Sequence, residues 1–155
     1  MIEDPIVQFL HAPSGCTLWA PASFLSMSEA TIETIYNGCG PRGWLGRLIP
    51  ESLFGLSITF LCYIHDHMYE RCCCEADEDV ADAIFAANLT RWIIHHSKWY
   101  NKLPRLLLAA RYINAVASTV YSTEYWKQNL MLYPRGCRYA VYTTTFGGKA
   151  NDAVL

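Results

Sequence analysis

With 155 residues, just over half of them apolar (52%), and a formal net charge of −2, the chain has the size and composition of one globular domain. That excludes an intrinsically disordered tract and the strongly basic footprint of a nucleic-acid binder. One domain is expected over 1–155, with a core at about 28–98, an N-terminal arm at 1–27 and a C-terminal extension at 99–155.

The N-terminus, Met1-Ile2-Glu3-Asp4-Pro5, is acidic where a secretory signal would place positive charge before an apolar run. No signal peptide is expected there. The prolines at 5, 13 and 21, with Trp19 and Phe24, predict an extended arm over 1–25. Ser28 is a good N-cap, and the acids that follow it predict a short helix through Tyr36. Next comes a glycine-rich loop, Asn37-Gly38-Cys39-Gly40-Pro41-Arg42-Gly43-Trp44. Its three glycines let main-chain groups approach a ligand without side-chain obstruction.

Pro50 suits a first helical turn and predicts a helix from there to about Glu70. The apolar stretch Leu53 to Ile64 is broken by Gly55, Ser57 and Thr59. It falls short of the roughly 20 residues that cross a bilayer, so it reads as a buried core helix. A short turn around Cys72 to Ala76 precedes a second long helix, about Asp77 to Lys98, with Val80, Ile84, Ala87, Leu89, Trp92 and Ile93 at helical spacing. Acids at its start suit the positive end of the helix dipole. Pro104 predicts the start of a third helix to about Trp126, and Arg138 to Thr145 has the composition of a short β arm. The fold class expected is mainly α.

His65, Asp66 and Tyr69 carry the chemistry. His65 and Tyr69 are four apart and share a helix face, while Asp66 points about 100° away. His65 is thus placed to touch a water as general base, and Asp66 to reach toward the glycine loop. Hard calcium takes carboxylate and carbonyl oxygens, which an Asp and a bare loop supply. The short turn after Tyr69 predicts that the two long helices run antiparallel, bringing an acid of the second opposite His65. Asp79 and Asp82 are both candidates. Asp82 shares a stripe with Phe85 and Leu89 and is the one expected to face inward, holding the imidazole in one tautomer as the acid of a serine triad does.

The ordered set of glycine loop, proline, helix, His-Asp-x-x-Tyr, turn and helix with Asp resembles the phospholipase A2 superfamily, over about Tyr36 to Leu89. The resemblance implies two long antiparallel helices preceded by a calcium loop, here extended by a further C-terminal helix and a short β arm. It implies calcium-dependent hydrolysis of a glycerophospholipid acyl ester at a phospholipid membrane surface. His65 would be the general base, with Tyr69 and Asp82 in the hydrogen-bond network behind it. Asp66 and main-chain carbonyls around Gly38, Gly40 and Gly43 would hold the ion, and a backbone N–H near Gly40 would stabilise the oxyanion. A Cys39–Cys62 bridge is what many secreted members have at these positions. The chain departs from the family pattern in four ways. Pro41-Arg42 lengthens the loop by one residue, Pro50 to His65 is about one helical turn longer, Thr59 stands where an acid is usual, and the cysteine usual two residues before the tyrosine is absent around His67 and Met68.

Rival readings start from the same residues. The fold could be catalytically idle, serving as a binding or structural module of a phage or secretion assembly. His-Asp alone also suits a metal-dependent phosphohydrolase, but that needs more histidine and aspartate ligands over several helices. His95-His96 and Cys72-Cys73-Cys74, with His65 or His67, invite structural zinc, although no paired Cys-x-x-Cys motif is present. Seven cysteines are an odd set: thiols in a reducing compartment, one or two bridges at an oxidising destination. A membrane-directed chemistry without a visible signal suggests delivery by a virion or a specialised secretion route. Trp44, Leu45, Leu48, Ile49, Leu53 and Phe54 are read either as a lipid-docking rim or as core.

Overall fold

The computed structural model describes residues 4–36, 38–39, 50–72 and 74–117. Two small antiparallel sheets and five helices follow in the order β1 (Ile6–His11), β2 (Cys16–Pro21), α1 (Ala22–Leu25), α2 (Glu29–Ile35), β3 (Ser52–Leu53), β4 (Leu56–Ser57), α3 (Thr59–Tyr69), α4 (Glu75–His96) and α5 (Trp99–Ala117). The chain is mainly helical. The expected β arm at 138–145 lies outside the described residues, as does the expected helix beyond Ala117.

The N-terminal segment is a hairpin rather than an extended arm. Ile6 pairs with Pro21 and His11 with Cys16 at the two ends of the β1–β2 ladder. The three prolines sit where a missing N–H removes no ladder bond: before β1, in the turn, and at the last residue of β2. At the turn, Ser14 and Gly15 both donate to the His11 carbonyl, at 3.1 and 2.8 Å. Gly15 takes a φ of 70° there, which glycine adopts without a steric penalty. Along β2, Cys16, Leu18 and Ala20 are buried at the strand period of two.

α2 begins as expected, with Ser28 Oγ accepting from the Thr31 N–H at 3.2 Å. The helix expected from Pro50 does not start until Thr59, because residues 52–57 form the β3–β4 hairpin instead. Its two central residues, Phe54 and Gly55, have φ of 46° and 76°, the double positive of a type I′ turn. Phenylalanine is an unusual occupant of the left-handed region. Arg105 on α5 braces the turn, its Nε donating to the Leu53 carbonyl at 3.1 Å and an Nη to that of Phe54 at 2.8 Å. The residues that make Pro50 to His65 long are therefore a hairpin.

α3 and α4 form the centre. Trp92 Nε1 donates to the Ser57 carbonyl near the start of α3, and His65 meets Asp82 further along. The partners close in sequence toward the connecting turn, so the two helices run antiparallel. α3 lies between two apolar clusters: Leu61 and Cys62 pack with Leu18, Leu53, Phe85, Leu89 and Ile93, while Ile64 and Met68 pack with Phe24, Ile32, Tyr36, Ala81 and Ile84. α5 starts at Trp99, five residues before the expected Pro104, which sits inside the helix. Proline cannot donate in the helical ladder, so this position marked a helix start in the sequence but not in the fold.

One α4 side chain hydrogen-bonds the main chain of β2. Asn88 is buried; its Oδ1 accepts from the Trp19 N–H at 2.9 Å and its Nδ2 donates to the Trp19 carbonyl at 2.7 Å. The amide thus pairs with the strand as another strand would. Arg91, one turn away, lies 3.6 Å above the Trp19 ring, a cation–π contact. Replacing Asn88 by Ala removes both amide bonds in a buried setting and is expected to lower unfolding free energy by about 1–3 kcal/mol. Denaturant unfolding checks this; an unchanged midpoint would show that the hairpin does not depend on Asn88.

Candidate catalytic site

Two side chains of α3 meet one carboxylate oxygen of α4. His65 Nε2 stands 2.9 Å from Asp82 Oδ1, and the Tyr69 hydroxyl donates to the same oxygen at 2.8 Å. His65 is buried. The Tyr69 ring lies against it at 4.3 Å between centroids, and Phe85, one turn beyond Asp82, at 4.9 Å. A carboxylate only accepts, so Nε2 carries the proton and Nδ1 presents a bare lone pair. Among the described residues Nδ1 makes no hydrogen bond, and the Asp66 carboxylate is 3.9 Å from it. Burial, and then the Asp82 charge, push the Tyr69 phenol well above its ordinary value, so Tyr69 stays a donor. Of the two acids left open by the sequence, Asp82 enters the site and Asp79 is exposed.

The loop side of the site is anchored covalently. A disulfide joins Cys39 to Cys62, one turn before His65 on α3, with the two Cα atoms 5.1 Å apart. Gly38 is thereby held beside the helix that carries His65 and Asp66. Gly38 has a φ of 105°, and the space where a Cβ would stand is filled by the Glu51 carboxylate. Any larger residue would displace that carboxylate. Glu51 was missed in the sequence because it was read as part of a helix. Burial pushes two phenols up, Tyr63 of α3 and Tyr112 of α5; the charges of Glu51 and Asp66 add to the push on both, and at Tyr63 the Glu33 charge adds more than either. Asp66, Glu51 and the Gly38 main chain offer only hard oxygen donors, the kind calcium takes. Gly40 and Gly43 lie outside the described residues. Among the described residues no group of three His, Cys, Asp or Glu side chains is arranged to hold a metal, and His95, His96 and the cysteines form no zinc-type cluster.

A second histidine, two residues on, belongs to a different network. His67 is fully buried, its Nε2 2.7 Å from Ser23 Oγ and its Nδ1 2.7 Å from the Tyr36 hydroxyl. Ser23 also donates to Asp4. The residue types are those of a nucleophilic triad, but the wiring is not. In a triad the acid orients the histidine, whereas here Asp4 binds the serine, Nδ1 faces the Tyr36 hydroxyl, and Nε2 faces Ser23 Oγ and, at 3.3 Å, Arg71 Nη1. This network ties the first strand and α1 to α3. Its hydroxyl partners lie 31 and 44 residues from His67, and no local spacing signals them.

Cys74 is also disulfide-bonded, while Cys16 and Cys72 keep buried thiols. No helix among the described residues is long and apolar enough to cross a membrane. No family model, curated protein or solved structure matches the chain.

The Cys39–Cys62 bridge closes a loop of 23 residues, for which chain entropy gives about 3 kcal/mol of stabilisation. Replacing both cysteines by serine is expected to lower the melting temperature and to make residues 38–39 exchange amide protons faster than α4. Unchanged exchange at 38–39 would show that the bridge is not what holds Gly38 beside α3.

Proposed function

We propose that this chain is a phospholipase A2-like, calcium-dependent hydrolase of glycerophospholipid acyl esters. The observation that carries the reading is the His65–Asp82–Tyr69 arrangement, with Nδ1 left as a bare base beside Asp66 and the anchored Gly38. His65 Nδ1 takes a proton from water as the water oxygen bonds to the ester carbonyl carbon. The imidazolium so formed is held by Asp82, whose charge is steadied by the Tyr69 hydroxyl. The same Nδ1 proton then passes to the glycerol oxygen as the carbon–oxygen bond breaks, releasing fatty acid and a lysophospholipid. No covalent acyl-enzyme forms. Asp66 and carbonyls of Gly38, Gly40 and Gly43 would hold calcium, with the Glu51 carboxylate close by. When bound, the ion supplies Lewis-acid polarisation of the ester carbonyl. A backbone N–H near Gly40 would donate to the developing oxyanion.

Fatty acid release from mixed phospholipid vesicles, with calcium and then with chelator, tests this reading. Release is expected only with calcium. His65→Gln is expected to cut it by about 10²–10⁴-fold, the range for a positioned general base, and Asp82→Asn to cause a loss in the same range by disturbing the tautomer. Chelator-insensitive release, or full activity in His65→Gln, would overturn the proposal. A folded wild-type protein that releases nothing would favour the idle binding module.

A further inference from the structure

α5 has two apolar faces, and only one of them packs on the core of the described residues. Arg105, Ala109 and Tyr112 turn inward; Ala109 joins the core, and the Tyr112 ring packs on Phe85 at 5.8 Å. On the opposite face Trp99, Tyr100, Leu103 and Leu107 stand at helical spacing and are 86, 52, 64 and 61% exposed. A helix apolar on both sides is ordinarily buried on both sides. A contiguous exposed row of this kind marks a contact with something else.

Charge indicates what that is. Residues 1–82 contain 12 of the 14 carboxylates and 3 of the 12 lysines and arginines. Residues 83–155 contain the other 9 cations and 2 carboxylates, and none of these carboxylates lies between 83 and 123. Lys98, Lys102 and Arg111 flank the exposed row, while Arg105 is spent on the β3–β4 turn and on Ser97. A near-neutral chain thus carries a strongly cationic half, and the apolar row lies within it. Cations beside exposed leucines and a Trp–Tyr pair suit a helix lying in an anionic lipid interface. They suit a copy of this chain less well, since the same cations would face each other across a two-fold contact.

We infer that the outer face of α5, Trp99, Tyr100, Leu103 and Leu107 with Lys98, Lys102 and Arg111, is a docking surface for an anionic phospholipid membrane. The inference deepens the proposed hydrolysis by naming how the protein reaches its substrate. Phe85 lies between the docking helix and the base, against Tyr112 on one side and His65 on the other.

The test uses the full chain in chelator, so that binding is read without turnover. Co-sedimentation with phosphatidylcholine vesicles is compared with and without phosphatidylglycerol. Binding is expected with the anionic lipid and is expected to weaken as salt is raised. Leu103→Ser/Leu107→Ser is expected to weaken it by about tenfold or more, with circular dichroism and melting temperature unchanged because both side chains are exposed. Brominated lipid is expected to quench tryptophan fluorescence in wild type and distinctly less in Trp99→Phe. No vesicle binding, or binding indifferent to the double substitution, would overturn the inference. So would a dimer in sedimentation that the double substitution dissolves, or amide protection showing this face covered by the rest of the chain. Failure here and failure of the hydrolase reading are separable. Hydrolysis of a short-chain monomeric ester without vesicle binding sinks the surface alone, and vesicle binding without hydrolysis sinks the enzyme alone.

Discussion

Asp82 Oδ1 accepts from His65 and Tyr69 at once, across the interface between α3 and α4. Removing a carboxylate from water is costly unless donors replace its hydration. Two donors from one helix face offset that cost, provided α3 and α4 keep their relative register. Much of the remaining fold fixes that register. Trp92 clamps the start of α3 through the Ser57 carbonyl, Leu61 and Cys62 on α3 interleave with Phe85 and Leu89 on α4, and Asn88 fastens α4 to β2. A slip of one residue would turn Asp82 away by about 100° and leave His65 buried without its partner.

Placing two histidines on one short helix separates their tasks by geometry alone. His65 faces α4 and engages one nitrogen, keeping the other for chemistry. His67 points to the N-terminal segment and engages both nitrogens with hydroxyls, Arg71 Nη1 also reaching Nε2. Exposure does not distinguish them, since both are buried. The partners do: a carboxylate at one nitrogen leaves a base at the other, and two hydroxyls leave none. The same reasoning rejects Ser23 as a nucleophile despite its nearby histidine and aspartate.

The helical part of the site was legible because it follows one periodicity. His65 and Tyr69 are one turn apart, and the apolar stripe through Phe85 and Leu89 selected Asp82 over Asp79. The Ser28 cap and the body of α4 were legible for the same local reasons. What was hidden depends on tertiary partners. The β3–β4 turn puts a phenylalanine where asparagine or glycine would signal a hairpin, and the arginine that holds it lies some 50 residues away. The N-terminal hairpin was masked by prolines that its ends and turn accommodate. Asn88 and His67 carry no sequence signal of their role, because the strand and the hydroxyls they bind lie 31 to 69 residues away. Glu51 came to notice only once Gly38 was seen to leave room for its carboxylate.

The direct test of the central claim is the protonation of the His65 ring, read from ¹⁵N imidazole shifts in a histidine-labelled sample and assigned with His65→Gln. With Asp82 accepting from Nε2, the neutral ring is expected to show a protonated Nε2 and a bare Nδ1, and to lose that preference in Asp82→Ala. A ring protonated at Nδ1, or one whose tautomers interchange equally with and without Asp82, would contradict the account.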